Sequence, residues 1–254
     1  MTTFSHTKLK SIGGKLDASG ATSLTSLSLP VLGSIGGLFR LEGCTVLSSL
    51  STPALTKVGQ LYWVTLPALM TCDAPISQAD TVTIGDTQLT SLGNINLKTV
   101  KEIDVNNNQY LKSVTMNLQS VSQGLSMGFN AKNIAYSFPD LMWSNNVTLT
   151  GAGSISFPKL QHINGSMNFL NTSVTTISCN NLTAVEQTLA FIGNDKVTDL
   201  NFPVLKEIGG GFKIHNNSQL VNIDGFPKLE QVRGAIDFVG IFEKYVSQHS
   251  YIIT

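Results

Sequence analysis

Charge is scarce in this 254-residue chain: only 13 % of residues are Asp, Glu, Lys or Arg, sixteen basic against sixteen acidic, with no Lys/Arg run. That excludes the electrostatic footprint of a protein that binds nucleic acid or an acidic membrane surface. No apolar run approaches the roughly 18 to 20 residues that a membrane-crossing helix needs. The first ten residues, Met1 to Lys10, lack the apolar core of a signal peptide. Cysteine is limited to Cys44, Cys72 and Cys179, an odd number without a C-x-x-C or His pairing, so no metal or cofactor is expected. These thiols either occupy core positions or, for Cys44 and Cys72 in neighbouring repeats, form a bridge that leaves Cys179 alone. The i, i+3, i+4 spacing with Ala, Glu and Lys that marks helices is also missing.

What is present is a repeat. The stretch Phe202–Ile214 reads Phe-Pro-Val-Leu-Lys-Glu-Ile-Gly-Gly-Gly-Phe-Lys-Ile, and its register around Leu205 returns throughout the chain. The anchors are Leu9, Leu32, Leu55, Ile76, Leu97, Leu118, Leu141, Leu160, Leu182, Leu205 and Leu229, a mean spacing of 22 residues. A fixed period of this size predicts stacked coils. With 42 % hydrophobic residues the chain has the material to fold. The reading is one all-β repeat domain over 1–239, a parallel β-solenoid, and a non-repeat tail over 240–254 expected to cover the last coil.

Each unit sets two inward residues around one outward residue, the alternation of a half-buried strand. The inward pairs run from Leu16/Ala18, Phe39/Leu41 and Leu61/Trp63 to Phe212/Ile214 and Ile236/Phe238. Eleven such strands at ~4.8 Å give a stack roughly 50 Å long. A second apolar run, such as Leu24-Leu27-Leu29 or Val197-Leu200-Phe202, predicts β structure on another side. Six prolines stand two residues before an anchor (Pro30, Pro53, Pro139, Pro158, Pro203, Pro227), as expected of a corner where the ladder is interrupted. Glycine pairs such as Gly36-Gly37 and Gly209-Gly210 are expected at the next corner, where positive φ carries no Cβ penalty. After the strand comes Asn, at 106–108, 130, 171, 194 and 216–217; these either turn the chain or bond an adjacent coil through the amide. No coil is stable alone, so stability must come from stacking.

The outward column reads Asp17, Arg40, Tyr62, Thr83, Asp104, Ser126, Thr148, Asn168, Ala190, Lys213, Asp237. A polysaccharide-cleaving site would need carboxylates converging from neighbouring coils. Here Asp17 faces Arg40 and Lys213 faces Asp237, ordinary cross-strand ion pairs, while Asp104 stands alone and exposed. The histidines are scattered and no catalytic triad or phosphate loop accompanies them, so the reading is not an enzyme. Trp63, next to the outward Tyr62, and Trp143, at a corner, are the aromatic candidates for stacking on a sugar; the inward register of Trp63 favours a place in the core. Five glycosylation sequons begin at Asn146, Asn164, Asn171, Asn181 and Asn216, all at expected corners, and none precedes Asn146.

Ser-Leu-Pro-Val-Leu-Gly-Ser-Ile-Gly-Gly (28–37), Thr-Gln-Leu-Thr-Ser-Leu-Gly-Asn-Ile-Asn-Leu (87–97), Asn-Asn-Asn-Gln-Tyr-Leu-Lys-Ser-Val (106–114) and Ile-Asp-Gly-Phe-Pro-Lys-Leu-Glu-Gln-Val-Arg-Gly-Ala-Ile-Asp (223–237) carry a family resemblance. In register, from about Leu9 to Phe238, the chain resembles the fungal cell-surface glycoproteins of cell-wall organisation and sporulation, with receptor L-domain-like repeats. The resemblance implies a right-handed parallel β-solenoid, secretion, N-glycosylation, a glycosylphosphatidylinositol anchor after a Ser/Thr-rich stalk, and no catalytic residues. Against that family the chain is expected to be a fragment, since signal peptide, stalk and hydrophobic tail are missing. The implied role is cell-wall organisation, with a wall polysaccharide or a cell-surface protein as partner and a glycan-active enzyme as the distant alternative.

Overall fold

The computed structural model describes residues 2–241; the cap expected from the tail lies, from residue 242 onward, outside the described residues. No helix occurs among the described residues, and every strand pairing is parallel. The chain is a β-solenoid of stacked coils of about 22 residues, as its period requires.

One sheet runs the length of the stack. Its members include Ser34–Glu42, Lys57–Leu66, Thr81–Thr87, Thr99–Asn106, Ser120–Gly128 and Trp143–Thr150. In the later coils the same strand is split by a corner, as in Glu207–Ile208 and Phe212–His215. The opposite side carries shorter sheets, among them Thr3–Ser5, Ser26–Ser28 and Ser49–Ser51, and a later one of Ser113–Thr115, Ile134–Ser137 and Ala152–Ser156. The inward residues fill one continuous core between them. Nine of the eleven inward pairs, Phe39/Leu41 to Phe212/Ile214, are buried; Leu16/Ala18 and Phe238 are half-buried and Ile236 is 49 % exposed, because a terminal coil has one neighbour. Trp63 is fully buried and meets Phe39 edge-on at 5.5 Å. Trp143 lies in a strand opposite Ser120 and His162, not at a corner.

The proline corner is a β-turn in which the anchor N–H reaches back to the carbonyl three residues earlier, Leu205 to Phe202 and Leu32 to Leu29, each at 3.2 Å. Proline fits the second position because its missing N–H has no partner there. The glycine pairs do not adopt positive φ; that expectation is corrected. They are glycines for lack of room. A Cβ at Gly209 would lie 2.2 Å from the Glu186 carbonyl oxygen, and one at Gly36 would lie 2.4 Å from that of Gly13.

Positive φ falls instead at the end of the long strand, at Gly20, Gly43, Thr65, Asp86, Asn107, Phe129, Gly151, Asn171, Gly193 and Asn216. The residue that follows points inward. In two runs that inward position carries polar side chains: Thr87, Asn108 and Asn130, then Thr172, Asn194 and Asn217, all buried. Each asparagine Oδ1 accepts the backbone N–H of the preceding coil, Asn194 to Asn217 at 3.0 Å and Thr172 to Asn194 at 2.9 Å. Each Nδ2 donates to a strand carbonyl, as Asn130 does to Val105 at 2.8 Å and Asn217 to Phe191 at 2.9 Å. Both expected roles of Asn exist, divided between adjacent positions: one turns the chain and the next binds the coils together.

Cys44 occupies that inward position one coil before Leu66, and its thiol donates to Ala18 O at 2.8 Å. The Cys72 sulfur points the other way along the stack, toward Leu92 O at 3.8 Å. The two therefore face opposite neighbours and are free thiols, so no Cys44–Cys72 bridge is present. Burial pushes the Cys72 thiol up to about 11 and the fully buried Cys179 up to about 12. Both are poor nucleophiles.

Candidate functional site: the outward face of the long sheet

The outward column falls into the expected register at every step. Asp17 lies opposite Arg40, Arg40 opposite Tyr62, then Thr83, Asp104, Ser126, Thr148, Asn168, Ala190, Lys213 and Asp237 follow in order. The ion pairs differ from expectation. Asp17 pairs with Lys15 at 3.1 Å and Arg40 with Glu42, while Asp237 Oδ2 lies 2.9 Å from His215 Nε2, a pair that carries charge only when the imidazole is protonated. In each of the first two the partner is two residues away: Glu42 on the same strand as Arg40, where side chains share a face, and Lys15 just before the strand Leu16–Ser19 that holds Asp17. The Lys15 ammonium holds the Asp17 carboxyl below its usual range. Arg40 also lies over the Tyr62 ring, 5.6 Å from its centroid, which fixes the plane of that aromatic.

Asp104 is half-buried, not exposed as its outward register suggested. Burial raises its carboxyl above the ordinary value, against a hydrogen bond from Ser126 that lowers it; nearby Glu102 raises it further. Its Oδ1 is buried without a partner. Two residues missed by the sequence reading flank it, Glu102 and Asn106, outward by the same period-2 rule. Their cross-strand neighbours are small: Glu102 faces Thr81 and Gly124, Asp104 faces Thr83 and Ser126, and Asn106 faces Gly85 and Gly128. Asn106 lies over Gly128, where a Cβ would come within 2.9 Å of its Oδ1. The strand Thr99–Asn106 thus raises three hydrogen-bonding side chains between low, Ser-, Thr- and Gly-lined strands, with Tyr62 two strands away.

The sequons are all exposed, and four lie at turns or bends. Asn171 and Asn216 hold positive φ; Asn164 sits at the split of its strand; Asn181 sits in a β-turn and donates through Nδ2 to Pro158 O at 2.7 Å. Asn146 departs from the expected corner. It lies within Trp143–Thr150, opposite Gly124, and bridges Gln123 O and Ser166 N.

The structure is that of a parallel β-solenoid presenting a repetitive polar face. In sequence the chain is similar to a specific group of proteins. The chain is 35 % identical over 235 residues to the cell wall mannoprotein PST1 of Saccharomyces cerevisiae, covering 92 % of this chain and 53 % of that protein. It is 35 % identical over 239 residues to protein ecm33 of Aspergillus fumigatus, covering 93 % and 60 %. With Sporulation-specific protein 2 of Saccharomyces cerevisiae it shares 35 % over 185 residues, covering 72 % and 37 %. The chain is a homologue of these fungal cell-wall and cell-surface proteins, the family its motifs resemble. It spans between about a third and three fifths of the length of these relatives. No family model and no solved structure matches it.

Proposed function

We propose that this chain is a non-catalytic module of the fungal cell wall, presented outside the cell, that contributes to wall organisation by holding a flat polar face against wall polysaccharide. The observation that carries the reading is the unbroken register from Tyr62 through Thr83, Asp104, Ser126 and Thr148 to Asn168. Hydroxyl, carboxylate and amide groups repeat there at strand spacing, about 4.8 Å, beside a clamped aromatic ring, which suits a long polymer of hydroxyl groups better than a small substrate. The names of the relatives, cell wall mannoprotein among them, support the same setting.

The test is a pull-down of the purified chain on insoluble glucan, chitin and mannan. Retention on one polymer, weakened by Tyr62→Ala and by Asp104→Ala at a melting temperature no lower than that of the parent, is the expected result. Retention on none, with capture of a surface protein instead, replaces the polysaccharide by a protein partner. Release of soluble sugar makes the chain an enzyme and overturns the reading.

A further inference from the structure

Coil length varies along the stack, from 19 residues between Leu141 and Leu160 to 24 between Leu205 and Leu229, and three successive coils are shortened alike. The anchors Leu55, Ile76, Leu97 and Leu118 fall 21 residues apart, whereas Leu9, Leu32 and Leu55 before them and Leu118 and Leu141 after them fall 23 apart. The coils of Ile76, Leu97 and Leu118 also lack proline two residues before the anchor. In its place stand Ala74, Ile95 and Met116, all buried, whereas Pro53 is exposed on the turn of the preceding coil. The β-turn is gone as well: Ile76 N–H bonds Ala74 O, and Asn117 N–H bonds Asn96 Oδ1 of the coil before it, at 3.1 Å. Three successive coils are therefore cut back at one corner.

The cut-back leaves a groove of about 620 Å³ on this corner, bordered by Lys57, Gln78, Asp80, Asn96, Lys98 and Asn117. A second hollow of about 230 Å³ continues it, sharing Ala79, Asp80 and Thr99 with the first. No aromatic residue lines either one. The charges are unbalanced. Asp80 pairs with Lys101 at 2.8 Å, and neither Lys57 nor Lys98 has a carboxylate partner among the described residues. Lysines without a carboxylate partner occur elsewhere among the described residues, exposed Lys112 and Lys132 for example, but this groove sets two of them, Lys57 and Lys98, among amides and hydroxyls around a single carboxylate, Asp80, that Lys101 already pairs.

We propose that this groove binds a saccharide carrying an anionic group, a phosphate or a carboxylate, with Lys57 and Lys98 meeting the charge and Gln78, Asn96 and Asn117 the hydroxyls. An ammonium is a strongly hydrated point charge that suits an oxyanion, and amides both donate and accept, as sugar hydroxyls do. The elongated form, across several coils, fits more than one sugar unit. The inference rests on the wall-polymer reading but uses a different surface, so the two fail separately.

Calorimetric titration with mannose 6-phosphate, trigalacturonate, inorganic phosphate and uncharged mannotriose tests it. The expected result is binding of at least one anionic saccharide that weakens at least about tenfold, or 1.4 kcal/mol, in Lys57→Gln/Lys98→Gln, weakens with added salt, and is unchanged in Lys112→Gln/Lys132→Gln. An unchanged melting temperature shows that the variants are folded. Equal binding of inorganic phosphate overturns the saccharide part, and equal binding of mannotriose overturns the anionic part. Binding of no probe overturns the inference altogether, while retention of the variant on an insoluble wall polymer leaves the flat-face reading standing.

Discussion

Asn130 Oδ1 accepts two hydrogen bonds from Asn108 of the preceding coil, from its backbone N–H at 3.0 Å and its side-chain amide at 3.1 Å. Asn130 Nδ2 in turn donates to Val105 O at 2.8 Å and to the Tyr136 hydroxyl at 3.0 Å. One buried side chain thus satisfies the turn of its neighbour and the end of a strand. Asn130→Leu, close in volume but unable to bond, strands the Asn108 N–H and the Val105 carbonyl. At about 1–3 kcal/mol for each unsatisfied buried group, a loss of about 2–6 kcal/mol is expected by urea denaturation. A loss under about 1 kcal/mol would mean that the amides only fill space.

Phe129 carries the opposite expectation. It sits at φ 53°, in a column otherwise held by Gly, Asn, Asp and one Thr, with its ring 64 % exposed. The left-handed conformation costs an ordinary L-residue about 1–2 kcal/mol, and little packing offsets it here. Phe129→Asn, the residue already found at 107, 171 and 216, is expected to raise stability by about 0.5–1 kcal/mol. A lower melting temperature would show that the ring holds contacts worth more than the strain.

Gly209→Ala and Gly13→Ala separate the two explanations of glycine at the corner. The first drives a Cβ to 2.2 Å from Glu186 O; the second meets nothing within 4 Å. Overpacking of this kind costs about 1–3 kcal/mol, so Gly209→Ala is expected to lose that much or more. Gly13→Ala is expected to be neutral or slightly stabilising. Equal effects in thermal unfolding would contradict the steric account.

Much of this was legible in the sequence because each coil repeats the same test. The outward column from Asp17 to Asp237, the inward pairs and the proline turns follow from counting, since a one-residue slip would turn every apolar side chain outward. What counting does not give is distance between coils. The positive φ assigned to Gly36 and Gly209 belongs to Gly20, Gly43 and Asn107, because a glycine that makes room for a neighbouring backbone and one that turns left-handed look alike in sequence. The partners of Asp17 and Arg40 were missed because reach along one chain segment competes with cross-strand adjacency, and that of Asp237 because His215 lies diagonally, not directly, across the neighbouring strand. The groove at Lys57 to Asn117 was visible only as three anchors lacking proline and two residues, a deletion that acquires meaning when the coils are stacked.

Asp104 makes stability depend on pH in a direction unusual for a carboxylate. Burial raises its pKa in the folded chain above the ordinary carboxylate value, so the folded form holds the proton more tightly than the unfolded one. The penalty for ionising it is absent below the unfolded pKa and fully felt above the folded one; its contribution to stability therefore falls as pH rises through that window. Asp104→Asn removes the titration. The variant is expected to be more stable than the parent at pH 7, with the difference vanishing as pH falls below the ordinary carboxylate range. Melting temperatures across that range check it; a difference that grows toward low pH would reverse the sign and the account.

Glycan placement bears on which surfaces remain free. The sequons at Asn146, Asn164, Asn171, Asn181 and Asn216 all expose their asparagines, and none lies in the coils that form the groove from Lys57 to Asn117. Asn146 and Asn181 spend one Nδ2 hydrogen on Gln123 O and Pro158 O; a sugar linkage replaces one of the two hydrogens and leaves the other for that bond, so modification is compatible with the fold. Material passed through a secretory host is expected to carry N-linked glycans on these five sites and none before Asn146, read by mass spectrometry of its peptides. Enzymatic removal of the glycans is then expected to leave binding of the anionic saccharide probe unchanged. A rise in affinity on deglycosylation would show that a glycan on the later coils reaches across the first six, and five unmodified asparagines in secreted material would remove the case for their exposure.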